Sequence, residues 1–333
     1  MTLDLFIRSS SGARFMSKLS FHFRHIAKPM FTVVSAMLIS TALWAAEPAG
    51  ISYPSVDAAS QALFDAANSG DRKKVAAIFG PLSAKLGSGD PVQSQREREA
   101  FIKAYQEKHG VRMQGEDRAT LVLGNDEWPF PVPLVRQGNA WRFDTAAGLE
   151  EIINRRVGRN ETHAEQTLLA IVDAQHEYAA EDRDGDGVRE YAEKFASSPG
   201  RMDGLYWPPE TSSIPSPLGP LVASAVKEGQ KFKGGGKPQP YWGYHFRMLS
   251  AQGSEAKGGS YGYKAGGNML GGFAVIAYPA EYGSSGVMTF VVNHEGVVFE
   301  KDLGRDTARL ASSVKQFNPG AGWVESAKVM VSQ

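Results

Sequence analysis

Residues 164–195 read AEQTLLAIVDAQHEYAAEDRDGDGVREYAEKF, and the fold turns on this stretch. Leu168, Ile171, Val172, Gln175 and Tyr178 recur at steps of three and four, the spacing of a helix with one buried face. The chain then enters a loop dense with acids, and a second short helix is expected after it. In that loop Asp182, Asp184, Asp186, Gly187 and Glu193 satisfy D-x-[DN]-x-[DN]-G-x5-E at every specified position, a calcium-loop pattern.

Calcium is a hard cation that gathers oxygen ligands in a flexible shell. The spacing offers it carboxylates from Asp182, Asp184 and Asp186, the main-chain carbonyl of Val188, then Glu190, and Glu193 as the closing bidentate ligand. Gly187 stands at the sharp turn, where a residue without a Cβ is needed. Without a cation these acids repel one another and extend the loop. Arg189 occupies the position that is apolar in paired loops, and the sequence holds no second such loop. A lone structural Ca2+ is therefore expected, with a solvated acidic turn as the alternative.

Outward from this loop, 333 residues suffice for two domains. Lys plus Arg and Asp plus Glu stand at 36 each, so no net field draws the chain to nucleic acid. Cysteine is absent, which removes disulfides, thiolate catalysis, Cys-ligated metals and lipid attachment at a lipobox. Arg8, Arg14, Lys18, Arg24 and Lys28 precede an apolar run, MFTVVSAMLISTALWA, over Met30–Ala45. A basic region, an apolar region and a small-residue exit predict a secretory signal peptide within 1–46; a single inner-membrane anchor is the alternative. Either places the remainder in the periplasm or outside the cell. The expected partner is an envelope protein or a small ligand.

Residues 47–160 read as a small α+β domain. Helices are expected over Val56–Asn68, from an Asp71 cap through Phe79, and over about 93–109. Thr120–Leu123 and Trp141–Phe143 read as strands. Pro129, Pro131 and Pro133 confine the segment between them to a sheet edge or a polyproline-like run. A helix over Ala147–Arg156 leads to a solvated joint at 157–161. Helices followed by a meander with a W-x-F return strand resemble a nuclear-transport-factor-two-like cone.

Residues 161–333 read as a second α+β domain. A Pro/Ser/Gly-rich loop spans 197–220, a short helix Leu221–Glu228, and a basic Gly/Pro linker 231–240. An antiparallel sheet is expected from 242–248, Gly272–Tyr278, Val287–Val292 and Val297–Glu300, with a last helix over Asp306–Val314. Ala174, Gln175 and Tyr178, followed by Phe290, Gly296, Val297, Val298 and Phe299, resemble the globular head of a pseudopilin. A pseudopilin's apolar helix continues directly into this one, whereas here a whole domain intervenes. That resemblance implies a helix-plus-antiparallel-sheet, pilin-head-like fold and, as one alternative, an assembly component.

Longer phrases carry a closer likeness: WPFPVPLV (128–135), RRVGRNE (155–161), EYAAEDRDGDGVREYA (177–192), DGLYWP (203–208), SPLGPLV (216–222), GYHFRMLSAQG (243–253) and PAEYGSSGVMTFVVNHEGVVFEKDLG (279–304). With these, the chain from Tyr53 to Trp323 resembles the bacterial envelope family known as domain of unknown function 2950. The resemblance implies a secreted bacterial protein and supplies no activity or catalytic residue.

Catalytic motifs find little support. Ser254-Glu255-Ala256-Lys257 fits S-x-x-K but sits in a Gly-rich turn without the partner motifs of that chemistry. Gly234-Gly235-Gly236-Lys237 lacks the spacing of a phosphate loop. Beyond the leader the histidines are His109, His163, His176, His245 and His294, none at zinc-type spacing. A non-catalytic, calcium-pinned binding protein is expected. The catalytic alternative is a hydrolase or transferase in which His245, Arg247, His294, Glu295 and a carboxylate such as Asp203 converge.

Overall fold

The computed structural model describes residues 50–86, 91–183, 185–227 and 240–327, which fall into two compact units parted at Ile152–Ile153. The leader at 1–46, most of the linker at 231–240, the Gly234–Lys237 run and Asp184 lie outside the described residues. The chain is α+β, with helices and antiparallel sheets in both units.

In the first unit α1 (Val56–Ser69) begins where the Ser55 hydroxyl accepts the Ala58 N–H and ends at Gly70, whose φ is 68°. The Asp71 carboxylate then accepts the N–H groups of Lys73 and Lys74 and starts α2 (Arg72–Phe79). After α3 (Pro91–Glu107) the chain turns extended earlier than the apolar spacing suggests, as β1 (His109–Met113). This strand pairs with β2 (Arg118–Leu123), whose alternating burial supplies Ala119, Leu121 and Leu123 to the core. The prolines restrict ladder pairing to the two residues of β3 (Trp128–Pro129); beyond them Phe130, Val132 and Leu134 are buried. β4 (Leu134–Gln137) and β5 (Ala140–Phe143) complete the sheet.

The joint expected at 157–161 is helical instead. One helix, α4 (Thr145–Ala179), runs unbroken through Gly158 and Asn160. Two side chains explain why the polar stretch stays ordered within the second unit. Asn160 donates to the Ser285 carbonyl at 2.8 Å, and the Glu161 carboxylate accepts the N–H groups of Val287 and Met288, both at 3.1 Å.

The second unit continues with α5 (Gly219–Lys227), β6 (Tyr244–Leu249), and the short β7 (Ala251–Gln252) and β8 (Tyr261–Gly262). It then adds a hairpin of β9 (Lys264–Ala265) and β10 (Asn268–Met269). Next come β11 (Ala274–Pro279), β12 (Met288–Asn293), β13 (Phe299–Asp302), α6 (Thr307–Ser313) and β14 (Val324–Glu325). The main sheet runs β14-β13-β12-β11-β6, antiparallel throughout, with Ile276 opposite both Val291 and Arg247. Ala164, Leu168, Ile171, Val172 and Tyr178 of α4 join its core, while α6 packs on β11. Ala274–Ala277 are consequently buried without alternation.

Two glycines of α4 separate backbone propensity from packing. A Cβ on Gly158 would meet nothing within 4 Å, whereas one on Gly148 would stand 2.6 Å from a Val132 methyl. Gly158→Ala should stabilise the protein by about 0.5–1 kcal/mol, and Gly148→Ala should destabilise it by about 1–3 kcal/mol. Urea unfolding of both variants checks the pair; equal effects would contradict these packing environments.

Candidate functional site

Helix α4 ends at Ala179 and delivers the chain into the acidic loop. The Asp182 carboxylate folds the loop back on itself, accepting the Gly185 N–H at 2.8 Å and the Gly187 N–H at 2.9 Å. Gly185 and Gly187 take φ of 80° and 89°, left-handed conformations that account for both glycines. Asp186 accepts the Val188 N–H at 2.8 Å. Asp182 and Asp186 are exposed and Val188 is half-buried.

The later acids turn toward the β9–β10 hairpin. Asn268 donates to Asp186 at 2.5 Å, the Met269 N–H to Glu190 at 2.8 Å, and the Lys264 ammonium to Glu193 at 2.6 Å. The short helix expected after the loop does not form; residues 188–195 run on without regular structure, and the Tyr191 N–H donates to the Met269 carbonyl at 3.0 Å. Glu193 therefore lacks the exit helix that would aim it back at Asp182. Among the described residues no three acids or histidines form a group able to hold a metal, and Asp184, the middle carboxylate of the pattern, lies outside them. The residues present fit a hard cation in donor type; Glu190 and Glu193 would reach it by exchanging their hairpin partners.

The loop is tied to α4 by Gln175. Its amide, fully buried, donates to the Ala192 carbonyl and accepts the Ala192 N–H, both at 2.8 Å. The Arg183 side chain is 6% exposed; its guanidinium pairs with Glu181 at 3.6 Å and lies 6.0 Å from the centre of the Trp207 ring. The Trp207 indole N–H donates to the Ile214 carbonyl at 2.9 Å. Beside it lies an open apolar groove of about 770 Å³, lined by Tyr206, Trp207, Pro209, Ile214, Pro215 and Val222 among others.

The groups of the catalytic alternative have separate partners. His245 sits opposite Tyr278 at one end of β11, while the His294 main-chain N–H donates to the Phe273 carbonyl at the other end. Five residues of strand place them roughly 17 Å apart. The His294 imidazole packs edge-on to Tyr263 and Phe273, and its buried Nδ1 has no hydrogen-bond partner among the described residues. Burial pushes the His245 imidazole pKa down. Arg247 donates to the Ala311 and Val314 carbonyls at the end of α6, both at 2.7 Å. Glu295 pairs with Lys257 at 2.8 Å; that hydrogen bond holds the Lys257 pKa up, opposite to what an S-x-x-K base needs.

Asp203 is a turn staple. It accepts the Ser198 N–H and the Lys194 ammonium, both at 2.7 Å, and the Ser198 hydroxyl at 2.9 Å. Burial alone would raise its pKa, but these bonds outweigh burial and hold it at about 2. A carboxylate that acidic is a poor base, and Lys194 is engaged as its counter-ion.

Three elements around the loop were not singled out from the sequence: the Gln175–Ala192 exchange, the β9–β10 clasp and the Trp207 groove. Gly266-Gly267 between Lys264 and Asn268 signals a hairpin turn, yet nothing local says that its flanks meet acids 71 and 82 residues earlier.

The fold and loop define an α+β protein in which a helix, a sheet and an acidic turn form one packed unit. A family model described as protein of unknown function (DUF2950) matches residues 51–326, and the chain belongs to that family. No curated protein and no solved structure matches it, so the pseudopilin-head and cone likenesses remain expectations from sequence.

Gln175→Leu should cost about 2–4 kcal/mol by leaving the buried Ala192 N–H and C=O unpaired; urea unfolding and exchange of the Ala192 amide proton measure it. For Asp203 the folded pKa lies below the ordinary 3.8, so its contribution is present above about pH 4 and lost as pH falls toward 2. Asp203→Asn should lower stability by about 1–2 kcal/mol at neutral pH. It should also flatten the loss of stability across that acid range, read by thermal unfolding as a function of pH.

Proposed function

We propose that this chain is an exported, non-catalytic bacterial envelope protein in which the acidic loop holds one structural Ca2+ and the second unit binds an envelope partner or small ligand. The leader's order of charge, apolar run and small residues supports export to the periplasm or beyond. The observation that carries the calcium reading is the turn itself. Asp182 draws the N–H groups of Gly185 and Gly187 inward, and both glycines adopt left-handed backbone, within a sequence that places an oxygen donor at each ligand position.

Asp182, Asp184, Asp186 and the Val188 carbonyl form the inner set; Glu190 and Glu193 join it as the hairpin yields them. Lys264 is then the ion's competitor for Glu193, since both claim the same carboxylate. The role is structural: the ion offsets repulsion among acids that join α4 to the segment beyond Ala192. Binding is favoured over catalysis because Arg247, Glu295 and Asp203 are engaged with different partners, and His245 and His294 stand at opposite ends of β11.

Calcium should raise the melting temperature of the mature protein, with a stabilisation of about 2.7 kcal/mol at a hundredfold excess over Kd. Asp182→Ala combined with Asp184→Ala should abolish the rise, and Lys264→Ala should enlarge it at a fixed, subsaturating calcium concentration. Identical melting curves in calcium and in chelator would overturn the reading.

A further inference from the structure

We draw no further inference here: the strongest candidate, the apolar groove of about 770 Å³ between the Tyr206–Ser216 loop and the start of α5, is an unpartnered surface, and nothing in the structure shows what covers it.

Discussion

The second unit depends on a single buried amide. Gln175 lies at the inner face of α4, where spacing alone calls for a hydrocarbon, and its side chain mimics a strand edge toward Ala192. Both of its polar atoms and both main-chain groups of Ala192 are satisfied at once, so the exchange avoids the cost of burying any of them alone. It closes the chain from α4 through the acids and back to α4 as one ring. The same amide also lies 3.8 Å from the Met248 sulfur on β6, which ties the ring to the sheet.

Within that ring the acids divide by hydrogen-bond partner. Asp182 spends both oxygens on loop N–H groups, which is how a turn stabilises itself in water. Asp186, Glu190 and Glu193 are each held by a different donor of the β9–β10 hairpin: an amide, a main-chain N–H and an ammonium. Only the last brings a full positive charge, and it is partly solvent-exposed, so its worth is modest. Arg183 is buried against Trp207 and pairs with Glu181 at 3.6 Å.

Much of this was legible in the sequence where local rules govern. Gly70 and Asp71 mark helix ends by capping chemistry that needs no tertiary information. The Phe290–Phe299 hairpin and the α4 face follow from periodicity. Legibility stopped where distant contacts decide. Gly158 and three arginines read as a joint, but Asn160 and Glu161 find main-chain partners near Ser285 and Met288, and those bonds keep the segment helical. The short helix expected after the acid-dense loop is lost for the same reason: Tyr191 and Ala192 give their N–H groups to Met269 and Gln175 rather than to a helical turn. At the candidate site the acid spacing was readable, while the side chains that turn those acids were not.

The histidines show why alternation along β6 misleads about chemistry. His245 and Arg247 share the strand face that a one-sided sheet would show to water, which made them resemble a reactive pair. The sheet, however, packs against α4 residues in its core and carries α6 against β11, so that face is half-buried. Arg247 accordingly satisfies the last carbonyls of α6, an arrangement favoured by the helix C-terminus. His245, less well placed, stacks obliquely on Tyr278, and its imidazole is held toward the neutral form by burial. Arg247 is thus committed to a neighbouring helix.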